Sequence, residues 1–482
     1  MSNKTLISLV IVWGTVCTCL GADGGAVDCT HLMAWVVGNT PNDKLVKIVE
    51  RQGTTIALNP ALEQELRSAG LTPDLIVAIR RFRSTPGNPC PASMVRAAML
   101  AHEKKSAEAG ELVGDFLERN PRNAALHFAL AYTKQQQGDW DGAFDEYSTS
   151  REIDPNFAEV HNRLALVFYE GEDGENAIGE ARTALSMDFQ DAEAYRMLGL
   201  GHYANEQFDA AMNAFQEAIM RDPSNADLYY EMGLVARDQG LGEQAIGFFR
   251  KSLKLNPQLW QAHSSLGTEL GKKHLLKEAV AELNTAKRMA PSDASTRENL
   301  ANLYYAQADY DASIAEYHEL YRVNPNWQHG HDSLARAYMA KNEYTAALAE
   351  LKLSVQQNPS NPAQHRTLGQ LLLVADERQE AVRELRIAIE LGPDSASSHY
   401  YLGTALLETG QLNAALNEFQ EAVRLDPSAE HHYALAACLM NLGRDSEALA
   451  EMQMATRLDP DKLLYHAREE ELQKLMRASR TR

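Results

Sequence analysis

Fifteen histidines are the residues of this 482-residue chain most open to chemistry, and metal binding is the chemistry they would do. Seven of them, His127, His161, His263, His331, His365, His399 and His432, recur on or one residue short of a 34-residue step. Side chains a full repeat apart cannot converge on one ion, whose ligands all lie within about 2 Å of it. The close pairs, His329 with His331 and His431 with His432, lack a cysteine or carboxylate at ligand spacing. Gly171, Gly174 and Gly179 follow no strand pattern and so make no phosphate loop, and no G-x-S-x-G nucleophile motif occurs. The nearest approach to an acid–base pair is His31 with Asp43, in a segment of about sixty residues without a recognisable motif. The chain therefore reads as non-enzymatic, with no metal, no cofactor and no small-molecule substrate.

Cysteine chemistry depends on where the chain resides. Lys4, the mostly apolar run Leu6–Leu20 and the small residues Gly21, Ala22, Gly24, Gly25 and Ala26 read as a secretory signal over residues 1–26, cleaved between 22 and 26. Thr5, Ser8 and Thr15 dilute the run, and about fifteen residues fit where a membrane span needs roughly twenty. Membrane contact is expected only through an uncleaved signal; a lipid on Cys19 is disfavoured by Thr18 before it. Cys17 and Cys19 leave with the signal. A periplasmic or secreted protein would then hold Cys29 and Cys90, which bracket one small segment and could close it as a disulfide, and Cys438, which reads as a small core hydrophobe. The net charge of −20 excludes a nonspecific grip on nucleic acid or anionic lipid, leaving proteins as partners.

The elements that must position these residues are announced by prolines. Pro121, Pro155, Pro223, Pro257, Pro291, Pro325, Pro359, Pro393 and Pro427 lie on one 34-residue grid, with Phe189 in the empty slot and Pro460 one residue early. Proline has no backbone N–H to continue a helix, so each marks a helix end. With this proline as thirty-second residue of its unit, the eighth position is Gly or Ala in all ten units and the twentieth is Ala in nine, Ser313 being the exception. Small residues there imply two helices in close approach, joined by a turn near the fifteenth position, where Gly138, Gly240, Gly410 and Gly443 act as caps. A single such hairpin cannot bury enough apolar surface to fold alone, so the units must stack.

The unit 192–225 reads Tyr195, Leu198, Gly199, His202, Ala211, Phe215, Ala218 and Pro223, which resembles the tetratricopeptide repeat. The units with Tyr229, Met232, Gly233, Ala245, Phe249 and Pro257, and with Leu402, Gly403, Ala415, Phe419, Ala422 and Pro427, repeat the pattern. The resemblance implies an all-α fold, a right-handed superhelical solenoid of about ten 34-residue helix-turn-helix repeats over 124–462. It also implies that the recurrent fourth-position histidines replace a packing aromatic. Before the array lie a degenerate first unit (91–123) and a small helical module (27–90) of three or four helices; after it, a capping helix (463–482) using Leu464, Leu472, Leu475 and Met476. The roughly twenty residues after the last repeat leave no room for the catalytic domain that some relatives append.

By the same resemblance the first helix of each unit lines a concave wall, here carrying Arg163, Arg196, Tyr230, Arg237, Asn299, Asn302, Tyr305, Arg336, Arg366, Gln370 and Tyr400. Such residues suit extended peptides or acidic segments. The carboxylate clamp of chaperone-docking relatives is absent, since Glu298 stands where its lysine would accompany Asn302. The expectation is an exported adaptor that binds proteins or peptides in envelope assembly or trafficking; the alternatives are a self-assembling envelope protein and, last, an enzyme sited in the 27–90 module.

Overall fold

A computed structural model describes residues 25–84, 87–327 and 329–480. The signal-peptide reading thus lies, but for Gly25 and Ala26, outside the described residues. Regular structure among those residues is helical throughout, beside two isolated parallel bridges, Val27 to Thr54 and Thr54 to Arg83. The chain divides into two compact units, Met1–Pro257 and Gln258–Arg482.

The first unit opens with α1 (Cys29–Val37), α2 (Asn42–Gln52), α3 (Pro60–Ser68) and α4 (Pro73–Arg81), then α5 (Ala92–His102) and α6 (Ser106–Arg119). Four hairpins follow: α7 (Ala124–Gln136) with α8 (Trp140–Ile153), α9 (Ala158–Glu170) with α10 (Gly174–Met187), α11 (Ala192–Ala204) with α12 (Phe208–Arg221), and α13 (Ala226–Asp238) with α14 (Gly242–Leu255). The second unit continues with α15 (Trp260–Lys272) and α16 (Leu276–Met289), α17 (Ala294–Ala306) and α18 (Tyr310–Val323), α19 (His331–Ala340) and α20 (Tyr344–Gln357). It ends with α21 (Pro362–Val374) and α22 (Arg378–Leu391), α23 (Ala396–Glu408) and α24 (Leu412–Leu425), α25 (Ala429–Asn441) and α26 (Asp445–Leu458), and α27 (Leu463–Arg480). The fold is an all-α helical repeat.

Each hairpin turns on a left-handed residue at its fifteenth position. Gly138, Gly240, Gly410 and Gly443 fill it as expected, but Glu172, Glu206, His274, Ala308, Asn342 and Asp376 adopt the same conformation without being glycine, at φ between 56° and 65°. The backbone explains the tolerance: in the fourth hairpin Leu241 N–H donates to the Ala236 carbonyl at 2.8 Å, closing the last turn of α13, and Asp309 does the same to Tyr304 at 2.9 Å in the sixth. Lys104, at φ 61°, makes this turn between α5 and α6. The degenerate unit is thus a hairpin of the same kind with an unrecognisable sequence.

The small eighth position is explained mainly by a facing side chain, although at Gly267 an added Cβ would also lie 3.0 Å from the Ala279 carbonyl, the close backbone approach that was expected. A Cβ on Gly199 would lie 2.5 Å from the Phe215 ring, and one on Gly233 2.4 Å from that of Phe249. Phe189 is 67% exposed in the proline slot; its carbonyl accepts from Arg221 Nε at 3.3 Å. On α27, Leu472 and Tyr465 are buried, whereas Leu464 and Leu475 face outward, contrary to the expected set.

The 27–90 segment forms four short helices tied at Thr54, whose backbone pairs with both the Val27 and Phe82–Ser84 stretches. Cys29 and Cys90 are bonded, with Cα atoms 5.1 Å apart. Its interior is continuous with that of the first two repeats, one core running from Val27 through Phe128 and Tyr147 to Val167.

Candidate functional site

Within each unit the first helices of successive repeats lie side by side, as α9 does against α11 and α21 against α23, and form a wall. In the first unit the beginning of that wall is covered by the chain itself. Trp35 of α1 stacks on Phe157 at 5.6 Å, and Gly38 sits where a Cβ would come within 2.3 Å of the Phe128 ring. Lys44 of α2 reaches across to Glu159 of α9 at 2.7 Å and to Asp191, the N-cap of α11, at 3.0 Å. Burial works to lower the Lys44 pKa, but the two carboxylates raise it well above the ordinary lysine value.

This places Arg163 under the module: its Nη2 donates to the Asn39 carbonyl at 3.3 Å and lies 3.5 Å from Glu159, with its guanidinium over the Tyr132 ring. Arg196 is held as firmly. Its Nη2 lies 2.6 Å from Glu231 of the next repeat, and its Nη1 3.0 Å from Glu193. Glu231 is 6% exposed, and its Oε2 has no hydrogen-bond partner among the described residues. Burial pushes its carboxyl up to about 7 despite Arg196. Tyr230 packs on Phe249 at 5.9 Å, and Arg237 is engaged by Asp238 at 2.7 Å. The arginines of this wall are therefore bound by neighbouring carboxylates, and the free guanidinium forks expected for acidic segments are not presented here.

In the second unit, Asn299 donates to Thr268 Oγ1 at 3.2 Å and Asn302 accepts from the Tyr317 hydroxyl at 2.8 Å, so both brace the array from within. Tyr305 packs on Tyr310 at 5.4 Å. Arg336 is exposed, with Ser333 Oγ at 2.7 Å and Asp332 at 3.7 Å; Arg366 has Ser395 Oγ at 3.5 Å. Gln370 is half-buried on the same helix as Arg366. The Tyr400 hydroxyl donates to Glu430 at 3.2 Å. Arg336 and Arg366 are the wall arginines least engaged by carboxylates.

The histidines are positioned by polar bonds, where packing alone was expected. In all seven, Nδ1 faces a glutamate nineteen residues on: His127 with Glu146, His161 with Glu180, His263 with Glu282, His331 with Glu350, His365 with Glu384, His399 with Glu418 and His432 with Glu451, at 2.5–2.7 Å. His331 also stacks on Tyr321 at 4.4 Å, and His431 Nδ1 turns to the Asp426 carbonyl, so neither close pair is a ligand pair. No group of three or more metal-ligating side chains occurs among the described residues. His31 is paired with Asp28 at 2.9 Å instead of Asp43, and lines a cleft of about 550 Å³ with Trp35 and Phe157.

Lys44, Glu159, Asp191 and Glu231 were missed by sequence reasoning. Lys44 carries no periodic signal, but Arg196 and Glu231 are opposite charges one residue more than a repeat apart, a spacing that could have been searched.

The model of the tetratricopeptide repeat matches residues 196–259, 298–362, 366–429 and 402–462. No curated protein sequence matches the chain. Among solved structures it is similar to the APC/C hetero-tetramer Cut9–Hcn1, at 15% identity over 92% of this chain and 92% of that one, with a TM-score of 0.42. It is similar to MamA at 30% identity over 33% of this chain and 94% of that one, with a TM-score of 0.29. It is also similar to yeast Tom70, at 15% identity over 80% and 96%, with a TM-score of 0.35.

Proposed function

This chain is a tetratricopeptide repeat protein, and from that premise we propose that it is an exported scaffold whose first-helix wall binds proteins or extended peptides. The observation that carries the reading is that the wall already holds polypeptide: Arg163 of α9 meets a backbone carbonyl of the turn between α1 and α2, and Glu159 of α9 with Asp191 at the start of α11 receives Lys44 of α2. A partner's chain would be held by the same means, side chains of the wall gripping its backbone and its charges. The wall open to an acidic segment is that of the second unit, around Arg336, Arg366, Gln370 and Tyr400. Export is supported by the composition of residues 1–26 and by the Cys29–Cys90 bond, which persists in oxidising compartments. On this reading the protein works in the periplasm or outside the cell, in assembly or trafficking at the envelope.

The test is capture of partners from the native envelope fraction by the parent chain and by a variant with Arg336, Arg366 and Tyr400 changed to Ala, folded as judged by circular dichroism. A partner held by the parent and lost from the variant supports the wall; a partner retained by both moves binding elsewhere, and no partner for either removes the scaffold reading. One observation favours self-assembly as a second reading: Leu463, Leu464 and Leu475 on α27 are 82%, 47% and 54% exposed. Light scattering over a concentration series would then show growing mass, abolished by Leu463→Lys with Leu475→Lys.

A further inference from the structure

The fourth position of each repeat covaries with the twenty-third inside this one chain. Where the fourth residue is His, the twenty-third is Glu, seven times over; where it is Arg297, the twenty-third is Glu316; where it is Tyr195 or Tyr229, the twenty-third is Ala214 or Phe248. The geometry explains the pairing. In at least four repeats the ring is held at both nitrogens, Nδ1 by the glutamate and Nε2 by the carbonyl of the preceding unit's proline. His127 meets Pro121 at 3.1 Å, and His161, His365 and His399 meet Pro155, Pro359 and Pro393 at 3.0 Å each.

A carboxylate and a carbonyl are both acceptors. A neutral imidazole has one N–H and satisfies one of them; an imidazolium satisfies both. The sixth repeat supplies the control. Arg297, a permanent cation, donates Nε and Nη2 to the Pro291 carbonyl at 3.1 and 3.0 Å and Nη1 to Glu316 at 3.2 Å, which are the same two bonds. The two tyrosine repeats bring a cation to the position from elsewhere: Arg221 lies 4.1 Å from the Tyr195 ring centre and Lys251 4.2 Å from that of Tyr229.

We propose that these histidines are proton-operated latches: each, as imidazolium, ties the exit of the preceding hairpin to both helices of its own, so that repeat stacking is conditional on protonation. The charged groups around His127 are Glu146 from α8 and Lys134 from α7, which sits on the other oxygen of Glu146 at 3.0 Å; α1 brings His31 and Asp28 to Asn123, the N-cap of α7. Around His161 they are Glu180 from α10 and Arg151 from α8; His365 faces Glu384, and His399 faces Glu418 with Glu421 near it. Burial opposes charge on the His127 ring, but Glu146 and the Pro121 carbonyl outweigh it, and its pKa lies above the ordinary histidine value. The sign follows: this contribution is fully present below about 6.5 and is lost as pH rises through the folded value. The His127 bond holds Glu146 below the ordinary carboxylate value, so its contribution is present above about 4.5 and lost as pH falls through the folded value.

The experiment is nitrogen NMR of the full chain labelled at histidine. At pH 7 we expect both ring nitrogens of His127 to carry protons; a neutral tautomer of His127 at that pH overturns the proposal. In parallel, the thermal midpoint of the parent should fall by roughly 5 °C or more between about pH 6 and pH 9. A variant with His127, His161, His365 and His399 changed to Arg, matching Arg297, should lose most of that fall, keeping only the part due to Glu231, whose raised carboxyl also ionises in this range. The same fall in a folded Arg variant would also overturn the proposal, and NMR on the unaltered chain decides the matter if that variant does not fold.

Discussion

Ser313 stands where nine repeats have alanine; it is fully buried, and its hydroxyl has no hydrogen-bond partner among the described residues. Leaving such a group unsatisfied costs roughly 1–3 kcal/mol, so Ser313→Ala should raise stability towards that amount, read as a shift in the urea midpoint without change of slope. Lys44 has the opposite weight. Glu159 and Asp191 are 3% and 6% exposed, and without the ammonium Glu159 keeps only Arg163 at 3.5 Å and Asp191 has no cation beside it, only neutral donors such as Asn162. Lys44→Met should cost about 3–5 kcal/mol, and a double change with Glu159→Gln should recover part of it, as a double-mutant cycle would measure. The small residues at the eighth and twentieth positions were legible because their reason is local to one hairpin. The Lys44 bridge was not, because it joins residues 115 apart in sequence through packing that no period encodes.

The hairpin turn shows a second limit to legibility. Its left-handed residue was visible where it is glycine and invisible where it is Ala308, since the backbone bonds that close the turn do not depend on the side chain. Ala308 pays the steric cost of that conformation without a polar side chain to offset it locally. Ala308→Gly should therefore stabilise the sixth hairpin by about 1 kcal/mol, net of the greater freedom of glycine in the unfolded chain. Hydrogen exchange in α17 and α18 would register the change; no gain would mean the turn is held by its neighbours regardless of residue. The degenerate unit is the same lesson at full length. Lys104 and the α5–α6 pair reproduce the hairpin geometry after the signature residues have gone, so structure persists where the pattern is lost.

For the molecule as a whole, the proline grid was enough to predict the class of fold, because ten units in register leave few other ways to bury their apolar faces. What it could not convey is that the 27–90 segment shares its core with the first repeats and lies on their wall. The Cys29–Cys90 bond closes that segment, and Cys90→Ser should destabilise the first unit by about 2–4 kcal/mol. Hydrogen exchange should show lost protection across α1 to α4 and none across α21 to α26; equal losses in both would mean that the two units unfold together. The pairing of fourth and twenty-third positions has a last consequence, for how such an array changes over generations. A crossover falling inside a hairpin would join a histidine helix to an apolar second helix, stranding a ring without its acid, or set a glutamate under a tyrosine. Exchanges between hairpins carry both members together. The heritable unit of this array is thus the whole hairpin, and duplications or deletions should be tolerated when they begin and end at the prolines.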